Sequence, residues 1–283
     1  MSKLGAFLRI TRPVNCLMMG FAVIVGAILA RTNGSNFLLV NLTYGYVTGF
    51  MLTAGSMVAN DYYDRNIDAI NEPNRPIPSG LIRPREALAL SFILAVIGLG
   101  TAYLTSIFSL TIAAISWLIF TAYTIVGKRS GLPGNFLVSA CVAIPFIYGS
   151  VVVANEIKLN VLFFIAMVFL ANTGREVTKG IVDIQGDSKQ NVNTLAVRYG
   201  SRTAAVVAAA FYISSTLLTP IPVLLRLVTV WFIPPVAVTD IGLLVSSFAL
   251  LKNHSRESAR GIKRIVLLWF VIGLIAFLIG APR

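Results

Sequence analysis

The sequence predicts an all-α, polytopic membrane protein, and three features of it do so. Of its 283 residues 57% are hydrophobic and 12% charged, with a mean hydropathy of +0.82, whereas a soluble domain carries about 25% charged residues. The apolar residues fall into nine runs, each near the ~20 residues that a helix needs to cross a bilayer. The charges between those runs alternate sharply from one side to the other.

The runs lie at roughly 14–31, 37–59, 87–105, 107–126, 136–154, 158–173, 203–219, 227–251 and 264–280. The first follows Lys3, Arg9 and Arg12, as the core of a secretory signal would. However, Val14–Ala30 is too long for that core and lacks an A-x-A cleavage site, so it reads as a spanning helix. Nine spans put the two termini on opposite sides. The N-terminal side then holds Lys3, Arg9, Arg12, Arg65, Arg75, Arg83, Arg85, Lys128, Arg129, Arg175, Lys179, Lys189, Arg198, Arg202, Lys252, Arg256, Arg260, Lys263 and Arg264. The other side holds only Arg31, Lys158, Arg226 and Arg283. Basic residues accumulate in cytoplasmic loops, so the N-terminus is expected in the cytoplasm of a multi-pass cell-membrane protein.

The same bias accounts for the net charge of +12 without nucleic acid, for which no binding motif is present. Cys16 and Cys141 stand in apolar runs without CxxC spacing, and His254 is the one histidine. A zinc site and a histidine-activated nucleophile are thereby excluded.

Acids do not set orientation, yet all but Glu156 and Asp240 of the eleven lie on the basic side. Two segments there are long, Asn60 to Glu86 and Gly174 to Arg202, and long ordered loops are usually functional. Each opens on a carboxylate motif: Asn60-Asp61-x-x-Asp64-x-x-x-Asp68, and Arg175-Glu176-x-x-Lys179-x-x-x-Asp183-x-x-x-Asp187. Asp64 precedes Asp183, and Asp68 precedes Asp187, by the same interval. That suggests one domain over 1–283 built from a repeat of helices 1–4 and 5–8 plus a ninth helix.

Residues spaced by three and four share a helix face. If the second helix continues past the bilayer, Asp61, Asp64 and Asp68 form one acidic stripe. Arg175, Lys179, Asp183 and Asp187 form a second ridge. Like charges stacked on a helix repel, and a divalent cation removes that penalty. Mg²⁺ favours oxygen ligands and shares them with substrate phosphates, which adjacent Lys and Arg also bind. The alternative is a solvated polar loop with surface ion pairs. An EF-hand is excluded because no D-x-[DN]-x-[DN]-G loop exists.

Asn60–Asp68 followed by Asn71-Glu72-Pro73-Asn74-Arg75-Pro76-Ile77-Pro78-Ser79-Gly80 resembles the first signature of the UbiA superfamily of intramembrane prenyltransferases. Asp183-Ile184-Gln185-Gly186-Asp187 with Thr194-Leu195-Ala196 is similar to the second, and Arg12-Pro13-x-Asn15 and Lys128-Arg129 also match. The resemblance implies a nine-helix bundle with a central cavity and a cap of cytoplasmic loops. It implies transfer of a prenyl group from an allylic diphosphate. It places one Mg²⁺ on Asn60, Asp61, Asp64 and Asp68, and another on Asp183 and Asp187. Lys179, Lys128, Arg129, Arg75 and Arg175 become candidates for the diphosphate, and Asn15 and Tyr123 for the cavity wall. Gly180 stands where an Asp is common, so the second cluster has one carboxylate fewer.

The whole-chain pattern resembles the ether-lipid branch of that superfamily. This implies a geranylgeranyl diphosphate donor and a geranylgeranylglyceryl phosphate acceptor, whose phosphate Arg9 and Arg12 could receive; otherwise those two arginines are topogenic charges. An aromatic acceptor, a quinone or tetrapyrrole precursor, is the alternative. A CDP-alcohol phosphotransferase would gather its acids in one contiguous motif, and a transporter would carry charges within the bundle. Only Asp240 lies inside a run, where an acid is expected to be functional or else held by a hydrogen bond.

Overall fold

A computed structural model describes residues 2–31, 39–125, 127, 130–189 and 192–281, the side chains of Ile67, Ile70 and Asn71 excepted. Its elements are helical, and no strand occurs among the described residues. The helices are α1 (Lys3–Thr11), α2 (Pro13–Ala30), α3 (Leu39–Asn71), α4 (Pro84–Thr105), α5 (Ile107–Ile125) and α6 (Leu132–Ala154). They continue with α7 (Leu159–Lys189), α8 (Leu195–Leu218), α9 (Pro220–Leu224), α10 (Ile233–Lys252) and α11 (Arg256–Gly280).

Among the described residues each of the nine expected runs overlaps a helix, and eight helices are long and apolar enough to cross a membrane. The exception is α3, which carries Asn41, Thr43, Thr48, Thr53, Ser56 and Asn60 along its length. Two expected loops are mostly helix. α3 runs on to Asn71 and α7 to Lys189, so the first connection shrinks to residues 72–83 and the second to 190–194. A 31-residue helix is about 46 Å long, against ~30 Å of hydrocarbon. The last part of α7, with Arg175, Glu176, Lys179, Asp183 and Asp187, therefore projects beyond its apolar stretch. Helix α1 was missed because it is amphipathic and too short to span; it buries Ala6 and Ile10 and exposes Leu4 and Leu8.

The chain forms two compact units. The first contains α1, α2 up to Ala27, α3, α4, α5 and the end of α6 from Pro145. Here α2 meets the end of α6 backbone to backbone. A Cβ added to Gly149 would stand 2.0 Å from the Val23 carbonyl oxygen, and one on Gly26 would stand 2.2 Å from that of Phe146. Small residues permit such approach between membrane helices. Polar groups then cross-link helices where water is absent: Ser91 donates to the Gly55 carbonyl at 2.8 Å, and Tyr148 donates to Thr48 at 3.2 Å.

The second unit contains the start of α6 up to Ile144 and α7, α8, α9, α10 and α11. Its core packs Val177 and Ile181 of α7 with Ala204, Ala208 and Tyr212 of α8, Leu243 and Leu250 of α10, and Ile262 and Val266 of α11. Helix α8 is interrupted at Gly200, whose φ of 84° is open to glycine but costly for other residues. Thr178 and Tyr212 share a hydrogen bond of 3.1 Å, and Ser215 donates to the Met167 carbonyl at 3.0 Å.

Candidate active site

The first acidic cluster forms as the spacing requires. Asp61, Asp64 and Asp68 lie along one side of α3, and all three are buried, at 5%, 9% and 6% exposure. Three buried carboxylates in a row demand compensation. Two arginines supply it from outside α3. Arg12 Nη2 donates to Asp61 Oδ1 at 2.6 Å, and Arg75 Nη1 donates to Asp68 Oδ2 at 2.6 Å while standing 3.7 Å from Asp61 Oδ1. Within α3, Asn60 Nδ2 donates to Asp64 Oδ2 at 2.9 Å. Burial raises the Asp61 carboxyl above the ordinary carboxylate range, and Arg12 and Arg75 work against that rise.

The chain places both arginines by local means. Arg12 sits between α1 and α2 with a φ of 51°, a left-handed conformation uncommon for a residue with a side chain. Pro13 then starts α2. Helix α1 is held over α3 by Ala6 and Ile10 against Val58, Ile77, Ile82 and Ala87. Its start is pinned by Lys3 on Glu86 at 2.6 Å. Arg9 Nη1 donates to the Asn74 carbonyl at 3.3 Å. Arg75 is fixed because its loop plugs Ile77 and Ile82 into that core and closes an Ile82–Pro76 backbone bond of 3.0 Å. Asn15 is exposed in the first turn of α2, and Tyr123 is half-buried in α5 beside Phe120.

The second cluster, in the second unit, forms on the projecting end of α7. Asp183 and Asp187 are half-buried one turn apart. Burial, reinforced by the charge of Asp183, pushes Asp187 up to about 6, against the pull of Lys179 and a hydrogen bond from Thr194. Gly180 is buried facing Thr194, with room for a Cβ at 3.5 Å. Lys179 and Arg175 both contact Glu176, a residue of the motif to which no ligand role was assigned. Lys128 and Arg129 lie outside the described residues.

Among the described residues no three carboxylate, histidine or cysteine side chains converge into a closed metal cage. The nearest partners of Asp61 and Asp68 are guanidinium groups. Thr219 donates to Asp240 Oδ2 at 2.6 Å, while the buried Oδ1 has no hydrogen-bond partner in the protein. Arg12 was a candidate for a substrate phosphate and not for Asp61, because an arginine 49 residues from its acid leaves no periodic trace.

These features define an integral-membrane helical protein whose acids collect at the projecting ends of two helices. The UbiA prenyltransferase family profile matches residues 19–272, and the chain belongs to that family. A digeranylgeranylglyceryl phosphate synthase from Archaeoglobus fulgidus is 34% identical over 269 residues, spanning 94% of this chain and 91% of the relative. A solved structure of digeranylgeranylglyceryl phosphate synthase superposes with a TM-score of 0.87 at 30% identity, covering 99% of both chains. A UbiA homologue from Archaeoglobus fulgidus, solved bound to GPP and Mg²⁺, superposes with a TM-score of 0.71 over 96% of this chain and 99% of that one. At 16% identity this last likeness is one of fold.

Proposed function

We propose that this chain is a Mg²⁺-dependent prenyltransferase of archaeal ether-lipid synthesis. It moves a geranylgeranyl group from geranylgeranyl diphosphate to the free hydroxyl of geranylgeranylglyceryl phosphate. One observation carries the chemistry: the oxygen-only stripe of Asp61, Asp64 and Asp68, buried at a helix end beside Arg12 and Arg75. The substrate pair follows from the relatives' product. Digeranylgeranylglyceryl phosphate carries two geranylgeranyl groups, and adding the second completes it. The excess of basic residues on the acid-bearing side assigns that side to the cytoplasm.

The donor set suits Mg²⁺, which is held by a few carboxylates together with substrate phosphates and seldom by an all-protein cage. Asn60, Asp61, Asp64 and Asp68 would hold one ion, and Asp183 and Asp187 another. Bound there, Mg²⁺ supplies Lewis-acid neutralisation of the charge that develops on the departing oxygen. The chain's own cations, Arg75, Lys128, Arg129, Arg175 and Lys179, bind the remaining diphosphate oxygens. The C1–O bond of the donor breaks with its electron pair going to diphosphate. The acceptor's hydroxyl oxygen bonds to C1, and its proton, acidic once that oxygen is trivalent, leaves to diphosphate or water. No strong side-chain base is needed. Asn15 and Tyr123 line the apolar path of the prenyl chain, which keeps water from the cationic carbon. Arg9 and Arg12 serve the acceptor's phosphate, Arg12 with the guanidinium it also lends to Asp61.

The test supplies purified protein in liposomes with Mg²⁺, labelled geranylgeranyl diphosphate, and either geranylgeranylglyceryl phosphate or an aromatic acceptor. The doubly prenylated glycerol phosphate is the expected product. Labelling of the aromatic acceptor alone would replace the substrate assignment. Full turnover by both Asp64→Ala and Asp183→Ala would end the two-cluster mechanism.

A further inference from the structure

Glu176 has no part in the chemistry above, yet it touches two of its cations. Its Oε1 accepts from Arg175 Nη1 at 3.0 Å, and its Oε2 accepts from Lys179 Nζ at 3.3 Å. Steps of four along α7 put Arg175, Lys179, Asp183 and Asp187 on one ridge. Glu176 lies on the adjoining row, one residue after Arg175 and three before Lys179, where one carboxylate can reach both. Its side chain is only 10% exposed, against 21% for Arg175 and 48% for Lys179.

The helix beneath it is immobilised. Val177, Thr178 and Ile181 are buried in the core of the second unit, and Thr178 is tied to Tyr212. The carboxylate therefore projects from a rigid base. It occupies one donor on each cation, while an ammonium has three donors and a guanidinium five. Arg175 Nε is buried and has no hydrogen-bond partner in the protein, while its Nη1 is held by Glu176.

We infer that Glu176 is a positioning residue, fixing the Arg175 guanidinium and the Lys179 ammonium at a set spacing for the diphosphate of the donor; this rests on the prenyl-transfer reading. A glutamine cannot replace it. Its amide oxygen accepts from one cation, and its NH₂ group repels the other.

The experiment measures the KM for geranylgeranyl diphosphate, kcat and inhibition by inorganic diphosphate. It compares the wild type, Glu176→Gln, Glu176→Asp, Lys179→Met and the Glu176→Gln/Lys179→Met double variant. Glu176→Gln is expected to raise the donor KM and the diphosphate inhibition constant about tenfold, with kcat within about twofold. Glu176→Asp restores most of the loss. In the Lys179→Met background the Gln substitution costs less than in the wild type, as coupled residues do. Three results would overturn the inference: tighter diphosphate inhibition in Glu176→Gln, a lowered melting temperature with unchanged constants, or full additivity in the double variant. A wild type that neither turns over the donor nor responds to diphosphate would instead refute prenyl transfer itself, and the role of Glu176 with it.

Discussion

Arg12 and Asp61 are 49 residues apart in the chain and 2.6 Å apart in the fold, an arginine at a helix junction closing on a buried carboxylate of α3. Arg12→Gln leaves that carboxylate with Arg75 alone, at 3.7 Å. The expected loss is about 2 kcal/mol, the scale of a hydrogen bond to a charged group, read from thermal unfolding in detergent at neutral pH. Because burial already raises Asp61, its protonated form is the one the fold tolerates without a partner. The loss in Arg12→Gln should therefore shrink as pH falls.

Asp187 gives the second acidic cluster its own pH signature. Its carboxyl is pushed up to about 6 from 3.8, and a metal ligand must be deprotonated. Apparent Mg²⁺ affinity, measured from activity against Mg²⁺ concentration, should weaken by roughly tenfold between about pH 6.5 and 5. Metal-free stability runs the other way. A raised carboxyl contributes stability that is complete below its unfolded value near 3.8 and lost as pH rises through about 6.

Two glycine-to-alanine substitutions should have opposite signs. At Gly180 a Cβ meets nothing nearer than 3.5 Å, so alanine should stabilise by about 0.5–1 kcal/mol through helix propensity. It should leave turnover unchanged. At Gly149 the same methyl would sit 2.0 Å from a backbone oxygen of α2, and overpacking of that kind costs about 1–3 kcal/mol. Melting temperatures of the two variants, with yield of folded protein, check both.

Asp240 is expected to be structural. Thr219 donates to it within the apolar part of the second unit, and asparagine can accept the same bond. Asp240→Asn should keep turnover within about twofold, while Thr219→Val should lower stability by about 1–3 kcal/mol, the penalty for an unsatisfied buried polar group. A collapse of kcat in Asp240→Asn with normal stability would give this acid a catalytic part.

The spacing of the acids was legible in the sequence because helical periodicity is local. Asp61, Asp64 and Asp68 could share one side of α3 only if the helix continued past its apolar run, and it runs on to Asn71. Positions set by partners far along the chain were not legible. Nothing near Arg12 announces Asp61, and nothing near Ile77 and Ile82 announces that they anchor a loop under α1. Helix α1 carries no signature of a membrane span because nine residues are about 14 Å of helix. Glu176 read as part of a motif, but its fork onto two cations depends on side-chain conformations that spacing alone does not specify.

Helix α1 also has a practical consequence. It is a short, stiff rod clamped at one end by Lys3 on Glu86 and at the other by Arg12 on Asp61. An affinity handle or fluorescent fusion placed ahead of Ser2 would act on that rod as a lever, and torque at the tip would be delivered at Asp61.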